Sequence, residues 1–190
     1  MKIDPASVAF DIDGVVADTM TLFLDIARQE HNINSITYAD ITCYNLADCL
    51  DIEPKTIDAV VTRILDGNYK ATLNPIAGAA DVLFQLGSRF GPIVFVTARP
   101  YAGPLGKWIN QALHLDPALI EVITTGSHEA KTSILQQRQI QYFVDDRLDT
   151  CFLLEAAGIQ PILFKQPWNR EPHSFFEVGS WFEIKKLLAL

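Results

Sequence analysis

Five short runs constrain how this chain can fold: Val8-Ala9-Phe10, Ile93-Val94-Phe95-Val96, Val122-Ile123-Thr124, Tyr142-Phe143-Val144 and Pro161-Ile162-Leu163-Phe164. Each is too short for a helix, and from Pro75 onward they alternate with stretches of helical periodicity. Brief, almost wholly apolar strands separated by helices are the pattern of a parallel sheet covered on both faces, an α/β fold of three layers. The first strand reads as Ser7 to Asp13. Helices are expected at Thr19 to Glu30, with Leu22, Phe23, Ile26 and Ala27 at helical spacing and Asp18 or Thr19 as N-cap, and at Pro54 to Asp66, with Ile57, Val60, Val61 and Ile64 as the apolar stripe. Further helices are expected from Ala77 to Leu86, ending near Gly87, then at Gly103 to Leu113, Glu129 to Gln137, Leu148 to Ala157 and the C-terminus.

One interruption breaks the alternation. From His31 to Asn74 no buried-strand run occurs, so residues 18–74 read as a helical insertion after the first strand, with residues 1–17 and 75–190 forming the core. Parallel sheets bind ligands at the C-terminal ends of their strands. The first strand ends on Asp11 and Asp13, with Gly14 permitting a sharp turn. The second ends on Thr97, and the Tyr142 strand runs into Asp145 and Asp146. Lys131 stands at the start of the helix after the third strand. Strand geometry carried through Asp13 would place both early carboxylates on one side. Four carboxylates, a hydroxyl and an ammonium on one sheet edge suit a hard cation together with a phosphate; oxygen ligands of this kind fit Mg2+.

Charge narrows the substrate class. With 15 basic and 23 acidic residues, a net charge of −8, the chain lacks the basic excess of a nucleic-acid surface. No apolar run approaches the roughly 20 residues that span a bilayer, and no apolar leader precedes Asp11. Cys43, Cys49 and Cys151 form no CxxC pair, which fits structural thiols in a reducing cytoplasm. No phosphate-binding glycine loop is present; Gly106-Lys107 is followed by Trp108. A small phosphate-bearing molecule is therefore the expected partner, with neither nucleic acid nor membrane.

Taken in order, FDIDGVVADT, Thr97 in VTARP, Lys131 and VDDR at Val144 to Arg147 resemble the four motifs of the haloacid dehalogenase superfamily. The resemblance spans most of the chain. It implies a Rossmann-like parallel sheet with an inserted helical cap and an enzyme of phosphate monoesters that uses Mg2+. Asp11 would be the nucleophile that becomes an aspartyl-phosphate. Asp13 would protonate the leaving oxygen and then activate water, its backbone carbonyl also ligating the metal. Gly14, Thr97, Ala98, Arg99 and Lys131 would hold the phosphate, Lys131 neutralising Asp11 as well. Asp146 would bind the metal directly with Asp145 in or near the outer shell, or the reverse.

The acid at Asp13 favours a phosphatase over a dehalogenase, because an alkoxide leaving group needs a proton. A sugar-phosphate phosphatase and a phosphomutase stay open. A non-catalytic phosphate- or metal-binding domain is disfavoured, since Asp11, Lys131 and the metal acids are all kept. LFKQPWNR, Leu163 to Arg170, resembles a loop of the 5'-deoxyribonucleotidase-like branch and points to a (deoxy)nucleoside monophosphate. Trp168 and Arg170 would border the phosphate pocket, or the tryptophan would pack at the sheet edge. Phe23, Tyr38, Tyr44 and Tyr69 are candidates for base stacking, weighed against packing the insertion's own core.

Overall fold

The computed structural model describes residues 2–190. Among these, β1 (Val8–Phe10), β2 (Ile93–Thr97), β3 (Ile120–Thr124), β4 (Tyr142–Asp145), β5 (Gln160–Phe164) and β6 (Phe176–Val178) form one parallel sheet in the order β3-β2-β1-β4-β5-β6. Phe10 pairs with Phe95 on one side and Val144 on the other. Successive residues point to opposite faces. Phe10, Phe95 and Val144 join the larger core, whereas Ala9, Val96 and Phe143 join a smaller one with Leu135 and Leu154. The chain reverses its direction of travel across the sheet between β1 and β4, and that switch point opens a crevice at the strands' C-terminal ends.

The helices are α1 (Thr19–His31), α2 (Leu46–Cys49), α3 (Pro54–Asp66), α4 (Ala79–Phe90), α5 (Gly103–Leu113), α6 (Ala130–Gln137), α7 (Leu148–Ala156) and α8 (Trp181–Leu187). The Asp18 side chain caps α1 by accepting from Thr21 N at 3.2 Å. Residues between α1 and α4 add no strand to the sheet among those described. The chain leaves and rejoins the core at one place, where Asp18 N donates to Asn74 O and Ile76 N to Val16 O. None of the described helices is long and apolar enough to cross a membrane.

Two expectations need correction, and one strand lies outside the sequence pattern. The first strand stops at Phe10. Asp11 N still donates to Val144 O at 2.8 Å, but the Ile12 carbonyl then collects the N–H groups of Val15, Val16 and Ala17, so the chain has turned before Asp13. Helix α4 continues past Gly87 to Phe90. Gly87 is a packing glycine, where a Cβ would come within 2.7 Å of Leu115 Cδ1. Strand β6 was not anticipated: its three residues at the sheet edge are too few to show a period.

Trp181, the first residue of α8, is the largest fully buried side chain. It packs 5.4 Å from the Phe10 ring and 6.5 Å from Phe164, and its indole N–H donates to Val15 O at 2.8 Å. The C-terminal helix thus holds the turn that follows β1. Trp181→Ala is expected to lower unfolding free energy by about 3–5 kcal/mol, read by urea denaturation. A loss below about 1 kcal/mol would contradict this packing role.

Candidate active site

The turn after β1 sets the first two acids. Asp11 follows the last paired residue of β1 and is 5% exposed. Gly14 adopts φ +73°, and a side chain there would strike the Asp146 carboxylate and approach Trp168 to 3.2 Å. Only glycine lets these two loops close on each other. Its N–H is taken by Ala17 O at 3.0 Å, so Gly14 serves by close approach and is not a free phosphate donor in this arrangement.

Asp11, Asp145 and Asp146 each offer a carboxylate oxygen, and these oxygens lie within 4.8 Å of one another, all three residues being buried. Lys131, fully buried on the first turn of α6, places Nζ 2.8 Å from Asp145 Oδ2 and 3.1 Å from Asp11 Oδ1. Asp145 Oδ1 accepts from Arg147 N, and Asp146 Oδ2 from the Trp168 indole, both at 2.8 Å. One ammonium faces three acids. Burial pushes the Asp11 carboxyl up to about 7; Lys131 opposes the rise, and the charges of Asp145 and Asp13 add to it. Asp146 is also raised, by burial and then by Asp145 and Asp11. Burial works against the Lys131 ammonium, yet Asp11 and Asp145 outweigh it and raise its pKa.

The donor set fits a hard divalent cation. Asp11 Oδ1 is buried without a hydrogen-bond partner: Lys131 Nζ is close in distance but outside hydrogen-bond geometry. Buried acids in excess of cations, one with an unsatisfied oxygen, are what an oxygen-liganded metal would balance.

Asp13 stands apart from that triad. Its Oδ2 accepts from Arg99 Nε at 2.9 Å, and its Oδ1 accepts from Arg99 Nη2 at 2.7 Å and Thr19 Oγ1 at 2.6 Å. Burial would raise its carboxyl, but Arg99 and then Thr19 hold it below the usual range. Thr97, 1% exposed at the end of β2, accepts from Arg99 N at 3.3 Å through Oγ1. Asp11, Asp13, Thr97, Ala98 and Arg99 meet on one side of a cavity of about 320 Å³. Met20 and Phe23 of α1, Leu46 of α2, and Val61, Ile64 and Leu65 of α3 line it as well, together with Tyr44 and His128. Away from the strand ends its wall is largely apolar, apart from Thr19, Tyr44 and His128.

Several supporting residues escaped sequence reasoning. Asn169 Nδ2 donates to Asp146 O and Phe164 O, Gln166 Nε2 donates to Gly14 O, and Gln166 Oε1 accepts from Tyr38. Together with the Trp168 bond to Asp146, the loop after β5 fixes both acid-bearing turns. The local signal was a polar turn after a buried strand. Arg170 is not at the pocket: it pairs with Glu177 of β6 and touches Asn169. Of the aromatic candidates, Phe23 and Tyr44 line the cavity, while Tyr38 packs on Trp168 at 5.8 Å. Tyr69 is not among the lining residues. Tyr44 sits under the Arg147 guanidinium at 4.1 Å and edge-on to His128, a bridge from the inserted segment to the sheet edge.

Comparison with known proteins adds an independent finding. The family profile of "5' nucleotidase, deoxy (Pyrimidine), cytosolic type C protein" matches residues 5–190. A 5'(3')-deoxyribonucleotidase of Bacillus subtilis (strain 168) is 24% identical over 184 residues, covering 95% of this chain and 97% of that protein. The fold is similar to that of a HAD-superfamily hydrolase from Ehrlichia chaffeensis (TM-score 0.60, 17% identity, covering 100% of this chain and 98% of the other). It is also similar to a haloacid dehalogenase-like family protein from Streptococcus pneumoniae (TM-score 0.61, 16% identity, covering 94% and 96%).

Gly14→Ala is expected to destabilise the protein by about 1–3 kcal/mol, because it adds both a strained φ and a clash with Asp146. Chemical denaturation reads the loss; an unchanged midpoint would show that the two turns do not meet as described.

Proposed function

The chain belongs to the family of 5' nucleotidase, deoxy (pyrimidine), cytosolic type C proteins, and from that footing we propose a Mg2+-dependent phosphomonoesterase acting on a (deoxy)nucleoside monophosphate through an aspartyl-phosphate. One observation carries the proposal: a buried acid triad braced by Lys131, one member of which, Asp11, opens onto a cavity walled largely by apolar side chains. Asp11, Asp145 and Asp146 would hold the cation, with the Asp13 backbone carbonyl. When bound, it supplies positive charge that ionises the acids and polarises the phosphoryl group.

The chain's own residues account for the rest. Lys131 holds Asp11 in place and offsets its charge. The Asp11 carboxylate attacks phosphorus, the P–O bond to the alcohol breaks, and Asp13 hands its proton to the leaving oxygen. Water then attacks the aspartyl-phosphate, Asp13 takes the proton, and phosphate leaves with Asp11 regenerated. In the arrangement described, Arg99 keeps Asp13 as a carboxylate, the form needed for the second step. The negative charge of a bound phosphate ester favours its proton uptake for the first. Thr97 and the backbone at Ala98, which line the cavity, would donate to phosphate oxygens.

Residues 18–74 would act as the cap, with Phe23, Tyr44 and Leu46 against a flat, largely apolar group such as a nucleobase. The resemblance to a protein named a 5'(3')-deoxyribonucleotidase supports this substrate class over a sugar phosphate, whose hydroxyls those walls would leave unpaired. Three free cysteines and the net charge of −8 support a small-molecule enzyme of the cytoplasm.

Two outcomes are expected. Phosphate release from nucleoside monophosphates should require Mg2+ and fall to background in Asp11→Asn; a panel showing no preference for nucleotides over sugar phosphates would remove the nucleotidase reading. Mg2+ should also raise the melting temperature more at pH 8 than at pH 5. The folded pKa of Asp11, about 7 against an ordinary 3.8, means this group favours the metal-free fold at low pH and loses that contribution as pH rises through about 7. The cation competes with protons for the same oxygens, so an equal shift at both pH values would count against binding at the triad.

A further inference from the structure

Arg99 resembles a phosphate ligand in sequence, but its guanidinium is already committed. Two of its nitrogens grip the Asp13 carboxylate in a fork, and a third, Nη1, makes a long 3.5 Å contact with the Ile64 carbonyl near the end of α3. The side chain is 7% exposed, although its residue helps line the cavity. Asp13 needs such a clamp. It lies beyond the end of β1, in the turn gathered by the Ile12 carbonyl, and the fork fixes both of its oxygens at once. To bind a phosphate with the same fork, Arg99 would have to release a part-buried carboxylate, which then keeps only Thr19 as a side-chain donor.

We propose that Arg99 is a positioning residue for Asp13 and not a ligand of the substrate phosphate. The proposal deepens the phosphomonoesterase reading and rests on it. Arg99 orients the group that protonates the leaving oxygen, so its importance scales with how much the leaving group needs that proton. A phosphate ligand would instead act alike on all esters. Lysine keeps the charge but cannot form the fork, which makes Arg99→Lys the informative variant.

The test compares kcat/KM for an alkyl ester, a nucleoside monophosphate, with that for p-nitrophenyl phosphate, whose leaving group departs without a proton. Arg99→Lys is expected to reduce the alkyl value roughly 100-fold and the aryl value less than about tenfold. In an Asp13→Asn background the same change should alter the aryl value less than about twofold, since both residues act through one group. Equal losses on both esters with a raised KM, or losses that multiply with Asp13→Asn, overturn the proposal in favour of a phosphate ligand. A thermal melt accompanies each variant. If Arg99→Lys is unfolded at the assay temperature, Arg99→Gln is measured with and without added guanidinium ion: restoration of the alkyl-to-aryl ratio is expected, and its absence overturns the proposal. Wild-type protein inactive on every ester would remove the phosphomonoesterase reading and this proposal with it, an outcome distinct from an active enzyme with equal losses.

Discussion

The buried ammonium of Lys131 is the interaction on which the rest depends. It reaches Asp11 at the end of β1 and Asp145 at the end of β4, the two strands flanking the switch point. Without a positive charge there, adjacent parallel strands could not both end in buried carboxylates, because desolvation and mutual repulsion would drive protons onto them. The ammonium offsets part of that burden. What remains appears in the raised carboxyls of Asp11 and Asp146. Acids therefore outnumber the ammonium at this point, an imbalance that a bound cation would relieve.

Around this centre the acids are divided by their partners. Asp11 and Asp146 lean toward protonation, whereas Asp13 has an arginine and a threonine to itself and is held ionised. Two aspartates two residues apart in one turn thus acquire opposite tendencies. The separation comes from where the strand stops. Had β1 continued to Asp13, both carboxylates would have faced the same neighbours. The turn gathered by the Ile12 carbonyl directs the second toward β2 and its arginine instead.

Much of the fold and the placement of the acids could be read from local pattern. Short apolar runs such as Ile93–Val96 marked the strands, and the polar residue ending each run marked the sheet edge. What could not be read were pairings across long separations. Arg99 meets Asp13 from 86 residues away, and Gln166 meets Gly14 from 152. Neither partner carries a period or a turn propensity that names the other, so from sequence Arg99 reads as a phosphate donor and Trp168 as bordering the pocket or packing at the sheet edge. Strand β6 escaped for a related reason: its place is set by β5 and by the cluster around Glu177, not by its own three residues.

The indole of Trp181 donates to the Val15 carbonyl, 166 positions earlier in the chain. Ile3 N likewise donates to Leu187 O. The turn that carries Asp11 and Asp13 is thus completed by an element from the far end of the sequence, and so is its exclusion of water. Contacts of such separation carry the entropy of closing a long loop, which the packing of Trp181 must offset. Removing α8 would leave the Val15 carbonyl without its indole donor and uncover the ring of Phe10.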